Sequence, residues 1–287
     1  MIVDTDPKML HEANRLSWNA ATVAHNSHKG DQAAFLRDGG STLFDEELDL
    51  LVSLHGHELL HLQCNSGQDT LSLASAGASV TGVDISDEAI DFARTLSTES
   101  GIEAEFYRAD VYDWLADAIA VGRSFSVVFA SYGVVCWLSD LDAWAAGIAG
   151  VLRPGGRFVL LEFHPFAQYF DEKWRPAYGF GAGPFTEERG VSDYVASSGG
   201  GLVTGEYVAG VDDFVNPHPS YDFGWYTGDV VTALARAGLV IEQLREYPYA
   251  NGWRGFEEMR DLGNRRYTTP EGMPELPMMY GVSAIRR

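Results

Sequence analysis

Positive charge is scarce in this chain. Lysine and arginine number 20 against 41 aspartates and glutamates, a formal net charge of -21. A phosphate backbone is bound by clustered basic side chains that displace its counterions. Here the arginines are scattered, and Arg265-Arg266 and Arg286-Arg287 are too few to make a stripe. Nucleic acid is therefore a poor partner and a small molecule a better one, unless the acidity serves solubility alone. Cysteine is scarcer still. Cys64 and Cys136 cannot build a disulfide framework, and no grouping has metal-ligand spacing, so no metal is expected. No apolar run approaches ~20 residues, so no membrane span is expected. The start, MIVDTDPKMLHEANRL, lacks the basic beginning and apolar core of a secretory signal. These absences point to the cytoplasm.

Glycine is missing where a dinucleotide site needs it. The stretch from Leu59 to Asp84, LLHLQCNSGQDTLSLASAGASVTGVD, begins with an apolar run whose brevity suits a buried strand. A polar turn, Gln63 to Gly67, leads into a helical pattern that stops at Gly77. A second strand, Ser79 to Val83, ends in the acid Asp84. Strand, turn, helix, strand and acid form the unit that places a nucleoside at the carboxyl edge of a parallel sheet. A pyrophosphate needs G-x-G-x-x-G at the turn, and those places hold Gln63, Asn65 and Gly67. Asn tolerates a left-handed backbone, so the turn can form, but room for a pyrophosphate is lost. An adenosine without phosphates suits the loop better.

The remaining pattern alternates helix and strand. Met9 to Ala24 has helical spacing, Thr22 to Gly30 loses it, Gly39 to Thr42 reads as a loop, and a second helix is expected near Asp45 to Leu54. Ser86 is placed to cap a helix ending near Gly101, and Ala104 to Arg108 is a short third strand. Phe125 to Ala130 is apolar enough for a central strand buried on both faces. The turn Leu152-Arg153-Pro154-Gly155-Gly156-Arg157 precedes a fifth strand, Phe158 to Phe163. From Pro165 to about Trp225 glycine, proline and aromatics break the pattern. A loop of that length is unusual, so a β-rich insertion is expected, with Leu202 to Val208 as a candidate strand. Gly179 to Gly183 superficially resembles a phosphate loop, but no clear strand precedes it. A helix from Val230 to Ala237, a strand from Leu239 to Arg245 and a last strand from Leu276 to Ile285 complete the chain.

In order and spacing, HLQCNSGQDTL, GVDIS, Ala109-Asp110-Val111 and the LRPGG turn resemble the motifs of the class I S-adenosylmethionine-dependent methyltransferases. The resemblance covers about Leu59 to Gly238. It implies an α/β, Rossmann-like, seven-stranded and mostly parallel sheet of order 3-2-1-4-5-7-6. It also implies an N-terminal helical cap over residues 1–55, a cofactor-binding domain over 56–287, and a substrate-side insertion at about 165–227. The implied cofactor is S-adenosylmethionine. Its site would include Trp18, Gln63, Cys64, Asn65, Gly67, Asp84, Ile85, Asp110, Val111, Ser131 and Tyr132. Asp84 would take the ribose hydroxyls, Asp110 the adenine amino group, and Trp18 the sulfonium. His25 and His28 either face the site or are solvated. His164, at the edge of the fifth strand, is the first candidate for a general base, followed by Tyr132 and His218.

The implied activity is O- or N-methylation of a small molecule, an aromatic or secondary metabolite, with the insertion's aromatics (Tyr169, Phe170, Trp174, Tyr178, Phe180, Phe185) walling a pocket or making a contact between two copies. Two rivals stand beside it. A silent nucleoside-binding protein would carry the same motifs. An NAD-dependent oxidoreductase would share the topology, but Gln63 and Asn65 argue against it.

Overall fold

The apolar run at Leu59 becomes β1 (Glu58–Leu62), the centre of a seven-stranded sheet. In this computed structural model, which describes residues 6–51, 53–177 and 185–287, β1 pairs in parallel with β2 (Ser79–Asp84) and β4 (Phe125–Ser131). β3 (Glu105–Arg108) and β5 (Leu152–Phe163) extend the sheet in parallel on either side. β12 (Met279–Arg286) runs antiparallel between β5 and β8 (Leu239–Tyr247). The order β3-β2-β1-β4-β5-β12-β8 is the expected one, last strand inserted and reversed.

Alternation along β1 and its neighbours divides the core between two faces. Leu60, Leu62, Val128 and Leu160 pack on α6 (Val111–Ala120), α7 (Leu141–Val151) and α9 (Thr227–Arg236) through Leu115, Trp144, Ile148 and Leu234. Leu59, Phe129, Val159 and Leu161 face the other way, onto α3 (Asp45–Leu51) and α4 (Gln68–Ser75). Phe106 and Cys64 bury α5 (Asp87–Ser100) and the remaining side of α4. Each fully buried large side chain contributes about 1.5–3 kcal/mol. Acid and hydroxyl caps fix where the helices start: Ser86 accepts from Ala89 N at 3.1 Å and Asp140 from Ala143 N at 2.9 Å. Such caps are worth about 1 kcal/mol each.

Before the sheet, α1 (Pro7–Ser27) runs longer than its periodicity indicates. α2 (Gln32–Arg37) lies between the aperiodic stretch ending at Gly30 and the loop beginning at Gly39. Six residues show no repeat to read, and its stability comes from the Asp31 cap on Ala34 N at 2.8 Å and from burying Ala33 and Leu36. The insertion after β5 contains β6 (Thr186–Glu188) and β7 (Ser220–Asp222), paired antiparallel, with α8 (Tyr194–Ser198) between them. A second excursion forms a small sheet from β9 (Ala250–Asn251), β10 (Arg260–Asp261) and β11 (Arg266–Thr268).

Two expectations need correcting. Leu202 to Val208 is not a strand: only Tyr207 makes an isolated bridge, to Lys29, because its partner segment is the short link between α1 and α2. β5 starts at Leu152 and not at Phe158, since Leu152 already pairs with Phe125. The LRPGG turn is a register shift inside that strand, with Gly155 at φ 77°. The glycine run 179–183 and the aromatics Tyr178 and Phe180 lie outside the described residues. Among the described residues no helix is long and apolar enough to cross a membrane.

Gly67 carries the sharpest packing constraint in the organising stretch. Its φ is 78°, and a Cβ there would stand 2.7 Å from Ala93 Cβ and 2.9 Å from the Phe106 ring. Gly67→Ala is expected to lower unfolding stability by about 2–4 kcal/mol, from overpacking plus a left-handed backbone. Urea unfolding measures it, and a loss under about 0.5 kcal/mol would show that the α4–α5 contact is slack.

Candidate functional site

The carboxyl ends of β1, β2 and β4 meet where the strand order reverses, the place at which open α/β sheets bind ligands. The turn after β1 is built on left-handed residues, with φ 52° at Gln63, 48° at Asn65 and 78° at Gly67. The side chain of Asn65 supports its own turn: Oδ1 accepts from Ser66 N at 2.7 Å. Asp84 holds the turn against β2, its Oδ2 accepting from Asn65 N at 2.8 Å and its Oδ1 from Ser86 N at 2.9 Å. Burial pushes the Asp84 carboxyl up to about 6, against the pull of those two hydrogen bonds.

A cavity of about 110 Å³ lies over this edge. Asp84 and Ile85 line it from β2, Asp110 and Val111 from the start of α6, and Ser131 and Tyr132 from the end of β4. Its roof is α1, which presents His11, Asn14 and Trp18 at helical spacing. Asp110 caps α6 by accepting from Tyr112 N at 2.9 Å, and its Oδ2 lies 2.7 Å from His11 Nδ1. Burial works against the Asp110 charge, but the hydrogen bond from His11 and the charges around it hold the carboxyl below its usual range. The buried Gln63 Oε1 and Ser131 Oγ have no hydrogen-bond partner, and both residues line this space.

A larger cavity of about 470 Å³, within the range of small-molecule pockets, adjoins it. Trp18, Gln63, Asn65, Ser131, Tyr132 and Trp137 line both. The Trp18 and Trp137 rings meet edge to face, centroids 5.5 Å apart. From there the larger cavity extends past α4, the insertion (Tyr194, Thr204) and the second excursion (Asn251, Trp253, Arg265).

The residues expected from sequence divide as follows. Trp18, Gln63, Asn65, Asp84, Ile85, Asp110, Val111, Ser131 and Tyr132 line the smaller cavity. Cys64 lines the larger one alone, and Gly67 lines neither, because its role is to start α4 against α5. His164 also lines neither. Strand alternation gives the cavity Phe163, while the His164 ring turns toward β8 and β12, with Nε2 3.1 Å from Glu246 Oε1 and Nδ1 accepting from Phe166 N at 3.1 Å. His218 is likewise outside both cavities. His28 is buried against Asp193, Nε2 to Oδ2 at 2.9 Å, and is not solvated. His25 lines the larger cavity, hydrogen-bonded to the Ser192 carbonyl, and burial pushes it down to about 4. Tyr132 is also unsuited to be a base. Burial, and after it the charge of Glu47, drives its pKa well up, and its Oη accepts from Asn251 Nδ2 at 2.9 Å.

Sequence reasoning misses several lining residues, among them His11, Lys29, His61, Asp69, Tyr194 and Asn251. The one local signal was His61, an imidazole inside the apolar run of β1. It is 2% exposed, its Nδ1 lies 2.9 Å from Thr70 Oγ1, and its Nε2 has no partner.

The fold and this edge define a class. Residues 59–156 match the family described as Methyltransferase domain. That stretch is a methyltransferase domain, of the class I S-adenosylmethionine-dependent type. It is 30% identical over 141 residues to a ubiquinone biosynthesis O-methyltransferase of Chelativorans sp. strain BNC1, covering 48% of this chain and 54% of that protein. It is also 30% identical over 146 residues to the 27-O-demethylrifamycin SV methyltransferase of Amycolatopsis mediterranei, covering 48% and 50%. The chain thus spans about half the length of these curated relatives. Among solved structures, an S-adenosylmethionine-dependent methyltransferase from Mesorhizobium loti has TM-score 0.53 and 19% identity over 86% of this chain and 99% of that one. The magnesium protoporphyrin IX methyltransferase of Synechocystis PCC 6803, with bound SAH, has TM-score 0.54 and 15% identity over 99% and 100%. At those identities the likeness is one of fold.

His61 supplies a pH test of the site's burial. Burial pushes its pKa down to about 4 from 6.5, so the unfolded chain takes the proton first. Its contribution to stability is complete above about pH 6.5 and is lost as pH falls toward 4. The stability advantage of the wild type over His61→Asn, which keeps an atom for Thr70, should shrink by about 2 kcal/mol between pH 7 and pH 5. Urea unfolding of both proteins at the two pH values checks this, and a constant gap would mean that His61 titrates freely in the fold.

Proposed function

We propose that this protein transfers the methyl group of S-adenosylmethionine to an oxygen or nitrogen of a small molecule. The observation that carries the reading is the shared wall of the two cavities, which brings the site at the carboxyl ends of β1, β2 and β4 and a substrate-sized space to one junction. When bound, the cofactor supplies a methyl group made electrophilic by its sulfonium. In this reading Asp84 receives the ribose hydroxyls, since each carboxylate oxygen takes one backbone N–H and retains a lone pair. Asp110 receives the adenine amino group, and the Val111 N–H, unsatisfied at the start of α6, serves the ring nitrogen. Ile85 packs on the base, and the unpartnered Gln63 Oε1 and Ser131 Oγ take polar atoms beside it. The Trp18 ring offers its face to the sulfonium cation.

On the acceptor side, Tyr132 keeps its proton and acts as a positioning group at the junction. His61 remains neutral near pH 7, and its unpartnered Nε2 is available to a hydroxyl or amine of the acceptor. Most of the catalytic work assigned to the protein is alignment and exclusion of water. The missing glycines at Gln63 and Asn65 support this cofactor over a dinucleotide, because their side chains occupy the space a pyrophosphate needs.

Calorimetry with S-adenosylhomocysteine tests the reading. The wild type should bind in the micromolar range, and Asp84→Ala should weaken binding by more than about tenfold through the loss of a charge-assisted contact. NAD should not compete. Absence of binding to folded, ligand-free protein, or equal affinity in the Asp84→Ala variant, would overturn the assignment.

A further inference from the structure

The wall of the larger cavity carries more hydrogen-bond acceptors than its own donors satisfy. Six buried polar atoms on its lining residues have no partner: Glu47 Oε1, His61 Nε2, Gln63 Oε1, Ser131 Oγ, Asp222 Oδ1 and Asn251 Oδ1. Four of them are oxygens of carboxylates or side-chain amides, and the imidazole nitrogen and the hydroxyl can accept as well. No atom that can only donate stands among them.

Two of these acceptors belong to one cluster beside Tyr132. Glu46 and Glu47 are neighbours on α3. The Asn251 amide bridges Glu46 and Tyr132, with Nδ2 donating to Glu46 Oε2 at 3.1 Å and to Tyr132 Oη at 2.9 Å. The Glu46 carboxylate fixes which way that amide points, because an amide oxygen turned toward it would be repelled. Both Nδ2 hydrogens are therefore used, and Oδ1 is left over. Glu47 is anchored through Oε2, which accepts from Phe44 N at 2.6 Å, and the Phe44 ring meets the Tyr132 ring edge to face, centroids 6.4 Å apart. Glu47 is 1% exposed and Asn251 2%, so water does not reach either freely. Among the described residues no ion pair within 4.0 Å includes Glu47. Burial and then Asp69 push its carboxyl up, while Arg265 pulls it down from beyond ion-pair distance.

We propose that Glu47 and Asn251 form an amine subsite, in which Glu47 Oε1 takes a protonated amine of the methyl acceptor and Asn251 Oδ1 takes a second donor of the same guest. A buried carboxylate without a partner is costly, and an ammonium supplies both the opposite charge and the hydrogen bond. Across the cavity wall the acids Glu47, Asp69 and Asp222 stand against the cations Lys29 and Arg265, so one positive charge on the guest evens the count. Phe44, Phe163 and Trp253 line the same space and receive an apolar or aromatic body.

The amine is a handle, and no bond forms or breaks at it. Tyr132 lines both cavities, whereas Glu47 and Asn251 line only the larger one, on the acceptor's side of the shared wall. That the guest is a methyl acceptor rests on the proposed function. The amine subsite itself does not.

The test is calorimetry on the full chain at pH 7, with and without S-adenosylhomocysteine. The probes are tyramine, tryptamine and 2-phenylethylamine, each beside the alcohol of the same skeleton: tyrosol, tryptophol and 2-phenylethanol. At least one amine should bind at least about tenfold tighter than its alcohol. Glu47→Gln, which keeps an oxygen for Phe44 N, should bring that amine to within about threefold of its alcohol and leave alcohol binding in place. Glu47→Met gives the same reading should the glutamine variant fail to fold, and thermal melts check both. Asn251→Ser should weaken the amine by at least about threefold, and an unchanged affinity would remove Asn251 from the subsite. Amines and alcohols binding alike, none of the three amines binding, or an amine preference that survives loss of the Glu47 carboxylate would overturn the proposal. Failure of S-adenosylhomocysteine to bind while the amine preference persists would sink the methyl-transfer reading and leave the subsite standing.

Discussion

The contact between Asp84 and the backbone of Asn65 is the constraint on which the site depends. It joins the end of β2 to the turn after β1, and so sets where α4 begins, how Gln63 projects and where the cavity floor lies. The turn needs that tie because three of its residues are left-handed and only one of them is glycine. Non-glycine residues in that region cost on the order of 1 kcal/mol each and persist only where surrounding structure holds them. A carboxylate accepting from the strained segment, an asparagine bonding its own following amide, and a glutamine donating to the Val134 carbonyl at 2.9 Å together hold it.

Around that floor, the functional space is assembled from parts of the chain that the sheet does not own. α1 closes the smaller cavity and joins α6 through His11, while Arg15 and Asn19 reach Asp87 at the start of α5. Glu162 performs a similar service on the other side of the edge. Buried at the end of β5, it accepts from the amides of Gly133, Val134 and Val135 at 2.5, 2.8 and 3.0 Å, and so fixes the loop that carries the junction between the cavities. Burial raises its pKa despite those bonds, which marks how much desolvation the loop's geometry demands. The insertion and the second excursion then wall the larger cavity, and Asn251 links β9 to the site through Tyr132 and to α3 through Glu46.

Much of the sheet is legible in the sequence because parallel strands buried on both faces are continuous apolar runs, and the turns between them carry glycine, proline or an acid at positions with local meaning. Asp84, Asp110 and the Gln63–Gly67 turn belong to that legible part: each is the end of an element whose periodicity can be read. α2 is not legible, since six residues carry no repeat. Leu202 to Val208 misleads for the converse reason. It has strand-like composition, but a strand exists only where a second edge is present to pair with it, and the short link between α1 and α2 offers just the Tyr207–Lys29 bridge. His164 misleads through parity. Its place at the strand edge is right, yet the neighbouring Phe163 has the side that faces the cavity.

By itself, the sequence determined the order of elements, the central strands, the acids at the carboxyl edge of the sheet, and the side chains at two positions of the turn after β1 where a dinucleotide site carries glycine. Those features depend on periods of two and 3.6 residues and on local backbone preference, which operate over a few neighbours. Only the tertiary structure decided what meets across the larger cavity. Lys29, His61, Asn251 and Arg265 come from four separate segments, and no local pattern encodes their convergence. It follows from how α1, α4 and the two excursions pack against one end of the sheet.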